Sequence, residues 1–246
     1  MKKTLSLLAV LMAAGLASTP LQAATHYVSG FGGVSWMQNM TLDQVYQYAS
    51  HNNSSNYDLG SGLALTGAIG CDYGNYRLEA EAGYQTNDFK SAVDFVDGVA
   101  VDPSNNVNPK VGSRYPMRGD VSVLSLMGNG YYDFDLGSKV ELYATAGVGV
   151  AQVSFHNVNN IGSWTPQAEL WDANNDPGFN GHETTLAWQV GAGLAAPIAD
   201  HVKLDLRYRY FATTDFTLTG DHNVALQTGN TNLSSHSVLL GLRVDF

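Results

Sequence analysis

The chain has 246 residues, with 12 Lys and Arg against 22 Asp and Glu, 26 glycines, 13 tyrosines and one cysteine. Phosphate binding needs a basic face, so this balance excludes nucleic acid as a partner. A lone cysteine, Cys71, excludes an internal disulfide.

Lys2 and Lys3 begin the chain, an apolar run follows from Leu5 to about Ala17, and Leu21-Gln22-Ala23 offers a small residue for cleavage. This three-part layout is that of a secretory signal peptide, residues 1–23, in a form that suits a bacterium. A membrane anchor is the competing reading, but the run is short for a span and Pro20 interrupts it. Removing Lys2 and Lys3 leaves 10 basic residues against 22 acidic ones, a mature net charge of −12. Residues 24–246 are of a length for one domain.

The first strand runs from about His26 to Trp36. Its glycines leave two facings open, one with Val28, Val34 and Trp36 towards lipid and one with Tyr27 and Phe31 there. A polar loop containing His51 to Asn56 follows. The second strand, about Gly62 to Tyr73, places Leu63, Leu65, Ile69, Cys71 and Tyr73 on one face, where Cys71 reads as a small apolar residue. Gly74-Asn75 makes a hairpin turn. The third strand, Tyr76 to about Asn87, sends Tyr76, Leu78, Ala80, Ala82 and Tyr84 one way and Arg77, Glu79, Glu81 and Gln85 the other. A long segment with Pro103, Pro109 and Pro116 spans 88–117. The fourth strand, about Arg118 to Tyr132, alternates poorly through Val123-Leu124-Ser125-Leu126-Met127, and its facing stays open.

Gly137 marks the next turn. The fifth strand, about Val140 to His156, opposes Val140, Leu142, Ala144, Ala146, Val148 and Val150 to Glu141, Tyr143, Thr145, Gly147 and Gly149. An Asn-rich loop, 157–182, holds Trp164 and Trp171. The sixth strand, about Glu183 to Pro197, alternates Leu186, Trp188, Val190, Ala192 and Leu194 with Gln189, Gly191 and Gly193. After a short turn at Ala199-Asp200-His201, the seventh strand, Val202 to about Thr213, sends Lys203, Asp205, Arg207 and Arg209 away from its apolar face. A loop over 214–233 leads to the eighth strand, Ser234 to Phe246. There Val238, Leu240, Leu242, Val244 and Phe246 oppose Ser237, Gly241, Arg243 and Asp245, with Leu239 as the exception.

Eight strands with connections alternating long and short predict an eight-stranded antiparallel up-and-down transmembrane β-barrel, all-β. Such a chain hides from hydropathy because only every second residue meets lipid. In hydrocarbon every backbone N–H and C=O must pair within the protein, and closing the sheet removes its edges. The short turns, centred on Asn75, Leu136 and Asp200, share the periplasmic side with both termini, and four long loops face outward. Eight strands leave an interior just wide enough for side chains. The inward set is Arg77, Glu79, Glu81, Glu141, Lys203, Asp205, Arg207, Arg209, Arg243 and Asp245. Buried charges are costly unless paired, so the expectation is an ion-pair network plugging the lumen, with Lys203 meeting Asp245 and Asp205 meeting Arg243. Tyrosines, Trp36 and Phe246 near the strand ends suggest interfacial girdles.

Asn129-Gly130-Tyr131-Tyr132-Asp133-Phe134, Ala146-Gly147-Val148-Gly149-Val150, Trp188-Gln189-Val190-Gly191-Ala192-Gly193, Tyr208-Arg209-Tyr210-Phe211 and the run Ser235 to Arg243 form an ordered set. Together they resemble the small outer-membrane barrels grouped as surface-antigen, opacity-protein and OmpA/OmpX-like porin-family proteins. The resemblance covers most of the mature chain and is strongest from the fourth strand onward. It implies insertion into outer-membrane lipid by the barrel assembly machinery, which in such families reads a terminal aromatic like Phe246. It implies little about activity, because these families differ mainly in their loops.

Asp172, Asn174, Asp176 and Glu183 match positions 1, 3, 5 and 12 of an EF-hand-like loop. Pro177 stands where glycine is needed and no flanking helices are foreseen, so the spacing is read as chance, with no metal and no cofactor expected. His51, His156, His182, His222 and His236 lack a ligand spacing and read as solvated loop histidines. His236 and Ser237 are adjacent, so on a strand they face opposite ways and cannot form a nucleophile–base pair. Trp164 and Trp171 either anchor a partner or pack a loop onto the barrel rim. The expected function is a non-enzymatic surface barrel, a surface antigen or adhesin-like protein whose loops contact a host or extracellular ligand. The alternative is a small-solute pore, motivated by the glycine-lined fifth and sixth strands.

Overall fold

Alternation at period two persists along almost every described part of the chain, and the computed structural model shows strands accordingly. It describes residues 24–45, 53–96, 99–101, 114–137, 139–160, 179–219 and 228–246. The strands are β1 (Thr25–Met37), β2 (Met40–Val45), β3 (Asn53–Asp72), β4 (Tyr76–Val96), β5 (Val99–Val101), β6 (Tyr115–Phe134), β7 (Glu141–Asn160), β8 (Phe179–Ala199), β9 (Val202–Thr213), β10 (Phe216–Thr219), β11 (Thr228–Thr231) and β12 (Ser234–Asp245). β1, β3, β4, β6, β7, β8, β9 and β12 are paired antiparallel in that order, and β12 returns to β1, so eight strands close a ring. β2, β10 and β11 carry three of these strands further at the end away from the termini, and β5 pairs with the far end of β4.

The wall strands outrun their expected bounds. β3 begins at Asn53 rather than near Gly62, β4 continues to Val96 rather than Asn87, and β6 starts at Tyr115 inside the segment expected to be loop. The reason is an inversion of the pattern partway up each strand. On β4, Tyr76, Leu78 and Tyr84 face outward while Arg77, Glu79, Glu81 and Gln85 are buried; beyond them Asp88 and Lys90 face outward while Phe89 and Ala92 are buried. On β7, Val148 and Val150 give way outside to Gln152 and His156, and Val153 and Phe155 fill the inside. Near the termini the barrel is apolar outside and charged inside; at the far end it is polar outside and apolar inside. The Asn- and Asp-rich outer face of the far half therefore looks like loop in sequence.

The two open facings are settled by burial. On β1, Val28 and Trp36 are 41% and 47% exposed while Tyr27 and Phe31 are buried. On β6, Leu124, Leu126 and Tyr132 point outward and Val123, Met127 and Tyr131 inward. β6 alternated poorly because Val123 and Met127 sit where the interior turns apolar. Leu239, the odd residue of β12, is wholly buried against Phe31 and Ala64.

The short turns follow local chemistry. Gly74 has φ +95°, and its N–H donates to Asp72 Oδ1 at 2.8 Å. Gly137, φ +64°, repeats this with Asp135 Oδ1 at 2.9 Å.

Candidate functional site

The outward apolar residues define a band. On β4 five of them, Tyr76, Leu78, Ala80, Ala82 and Tyr84, span nine residues end to end. At roughly 3.3 Å per residue and a tilt of about 40°, nine residues rise about 23 Å, close to the apolar height of an outer-membrane barrel. Aromatic residues bound the band. Tyr76, Tyr132 and Phe134 cluster at the terminus end, with centroid separations of 5.2 and 5.0 Å. Trp188, Tyr208, Tyr210 and His236 cluster at the other. Amphipathic rings suit these boundaries.

Inside the band lies a polar network that crosses the lumen. Arg77 donates twice to Asp133, both at 2.8 Å, and its guanidinium lies over the rings of Tyr131 and Tyr143 at 4.4 and 4.8 Å. Glu79 accepts from the Tyr131 hydroxyl at 2.6 Å and the Tyr27 hydroxyl at 3.1 Å. Glu81 accepts from Arg207 Nη1 at 2.9 Å and Gln189 Nε2 at 3.1 Å, and lies 3.6 Å from Arg209. Arg207 also lies 3.9 Å from Glu79 and stacks over Phe31 at 4.0 Å. Near the terminus-side mouth, Glu141 accepts from Lys203 and from Arg243, the latter at 2.6 Å. Most of these charges lie against an opposite one, as burial in a low-dielectric space requires, while Asp205 Oδ2, Arg77 Nη1 and Arg209 Nε are buried without a hydrogen-bond partner among the described residues.

Of the two expected pairings, Lys203 with Asp245 is present and Asp205 with Arg243 is not. Lys203 reaches Asp245 only at 3.7 Å, its nearer partner being Glu141. Asp205 does not meet Arg243. It accepts from the Tyr143 hydroxyl at 2.6 Å, while Arg243 turns to Glu141 and, at 3.5 Å, to Asp245. Arg243 lies in register with Lys203, not Asp205, and long side chains in a narrow barrel reach across the lumen as readily as along a ladder. Sequence reasoning missed Tyr27, Asn129, Asp133 and Gln189. Asp133 lies just beyond the expected end of the fourth strand, Tyr27 and Asn129 lie on the two strands whose facing the sequence leaves open, and Gln189 is uncharged.

Above this layer the interior is apolar. Met37, Met40, Leu59, Phe89, Met117, Val121, Val123, Met127, Val153, Phe155, Phe211, Phe216, Leu218 and Leu233 form one buried cluster. The four methionines beyond residue 23 are all in it. Thioethers fill irregular gaps, and this level is irregular. β1 and β2 break at 38–39, and register shifts occur between Asp88 and Ser91 and between Arg118 and Asp120.

Of the remaining candidates, Trp164, Trp171, Asp172, Asn174, Asp176, His51 and His222 lie outside the described residues. Glu183 lies on β8, in register with Val153. Among the described residues no group of three or more His, Cys, Asp or Glu is placed to hold a metal ion. His236 bonds the Tyr208 hydroxyl at 2.6 Å and Gln38 at 2.9 Å, while Ser237 is buried on the opposite face. His156 meets Asp120 at 3.1 Å. Phe246 is 71% exposed, and its N–H donates to the His26 carbonyl at 2.8 Å.

A closed ring of eight antiparallel strands, greasy outside and ion-paired inside over a membrane's thickness, defines a transmembrane barrel of the bacterial outer membrane. The chain belongs to the outer membrane protein beta-barrel domain family, whose model matches residues 6–246. It is 26% identical over 223 residues to a candidate adhesin of Rickettsia conorii, covering 87% of this chain and 79% of that one. It is 25% identical over 250 residues to another candidate adhesin, of Rickettsia bellii, covering 96% and 98%. In fold it is similar to the outer membrane protein OprG of Pseudomonas aeruginosa, with a TM-score of 0.50, 13% identity, and 91% and 96% of the two chains covered.

Proposed function

We propose that this protein is a non-enzymatic, surface-exposed, adhesin-like barrel whose four outer loops contact an extracellular ligand. The observation that carries this reading is the height of the strands that lead into those loops. β3, β4, β6 and β7 continue for about ten residues beyond the lipid band, which at roughly 3.3 Å per residue and a 40° tilt lifts the rim about 25 Å above the hydrocarbon. The polar outer face and packed apolar interior of this part are those of a water-exposed barrel. Its relatives described as candidate adhesins support the same reading. The filled interior gives less support to a pore. The reading includes a leader, residues 1–23, removed on export, and a terminal Phe246 read by the barrel assembly machinery. Trp164 and Trp171 are the loop residues proposed to contact the ligand.

The test is adhesion of bacteria displaying the protein to host cells or extracellular matrix. Replacing residues 161–178 by a short Gly-Ser linker should abolish the added adhesion while the folded barrel persists in the outer membrane. Adhesion unchanged by replacement of each long loop in turn would refute the reading.

A further inference from the structure

On the outside of the barrel, just above the lipid band, β7 and β8 form a groove of about 420 Å³. Gln152, Ser154 and His156 line it from β7, and Asn180 and His182 from β8, with Phe155 and Gly181 between them. The groove adjoins a register shift between Phe155 and Val158, where Asn157 takes φ +49° and donates its N–H to Asn180 Oδ1 at 2.9 Å. Asp120 of β6 holds the His156 ring from the side.

Two observations define the ligand. The first is the chemistry of the outward side chains: two amides, a hydroxyl and two imidazoles, with no Lys, Arg, Asp or Glu in the lining. Amides, hydroxyls and imidazole nitrogens supply donors and acceptors side by side, with Asn180 Oδ1 already accepting from Asn157 and one His156 ring nitrogen held by Asp120. A sugar ring offers the same alternation, whereas a phosphate calls for charged donors. The second is height. Val150 and Leu186 are paired at the edge of the lipid-facing band, and Gln152, Ser154 and His156 follow two, four and six residues beyond Val150. At roughly 3.3 Å per residue and a 40° tilt, the groove spans about 5 to 15 Å above the hydrocarbon. In the outer leaflet of a bacterial outer membrane that depth is occupied by glycolipid sugars. We propose that this groove binds an uncharged sugar ring of the outer-leaflet lipopolysaccharide, fixing the height of the barrel in its own membrane. It is separate from the rim loops and does not depend on adhesion.

The test uses protein purified from outer membranes, stripped of glycolipid and reconstituted in phosphatidylcholine nanodiscs. The imidazole NMR signals of His156 and His182 are followed during titration with whole lipopolysaccharide, with its delipidated, dephosphorylated core oligosaccharide, and with inorganic phosphate. Saturable shifts with the first two, and none with phosphate, are expected. Ser154→Val and Gln152→Leu should each weaken oligosaccharide binding at least tenfold while the heat-modifiable folded band on gels is retained. Shifts with phosphate, shifts with whole lipopolysaccharide alone, no shifts at all, or folded variants that bind normally would each overturn the assignment. Tighter binding of a host glycan than of the core oligosaccharide would also overturn it, by placing the ligand's source outside the cell.

Discussion

Truncating Glu81 to alanine tests the interior network at its centre. Glu81 is wholly buried, accepts from Arg207 and Gln189, and lies 3.6 Å from Arg209. Without it Arg207 keeps, among the described residues, Glu79 at 3.9 Å as an ionic partner and Tyr143 at 3.2 Å as a polar one; Arg209 keeps Gln85 at 3.5 Å. Breaking a buried pair on one side costs about 3–5 kcal/mol, roughly a 160- to 4,600-fold rise in the unfolding constant. The exposed pair Arg114–Asp58, at 2.9 Å, is the internal contrast, and Asp58→Ala should cost under about 1 kcal/mol. The assay is urea unfolding of the refolded protein in lipid vesicles, read by tryptophan fluorescence. Removing both charges, as in Glu81→Leu with Arg207→Met, should recover much of the loss, because a paired replacement leaves fewer uncompensated ions. If Glu81→Ala and Asp58→Ala cost the same small amount, the interior charges are screened by water and the packed-lumen reasoning fails.

Leu126→Arg on the lipid face should cost about 2–4 kcal/mol in the same assay, whereas Thr184→Arg, beyond the band on β8, should cost less than 1 kcal/mol. Leu239→Ala, which empties the contact with Phe31 and Ala64, should cost about 2–5 kcal/mol. Deleting Phe246 should lower the amount of folded barrel assembled in cells several-fold, measured by the heat-modifiable band, while leaving refolding in vesicles within twofold of the unaltered protein.

The ring of eight strands was legible because alternation of Leu, Val and Tyr with Arg, Glu and Gly needs no tertiary knowledge. It ceased to be legible above the lipid. A strand such as Asn87-Asp88-Phe89-Lys90 keeps its period but reverses which face is apolar, so a reader expecting grease outside sees a loop. The facing of β1 was hidden by Gly30, Gly32 and Gly33, which carry no side chain to alternate. The inward charges could be collected by period, but not paired. Which of Asp133, Glu141 or Asp245 an arginine meets depends on how far its side chain reaches across the lumen. The groove on β7 and β8 was likewise invisible, since His156 and His182 become neighbours only when Ser154 pairs with His182.

Single-channel conductance of the refolded protein in a planar bilayer tests the central claim most directly. A lumen filled by the Arg–Glu–Tyr layer below and the Met–Phe–Val layer above predicts no stable openings when folding is confirmed by heat modifiability. Sustained, salt-dependent openings from the folded protein would contradict that account and make the interior, rather than the rim, the working part of the molecule.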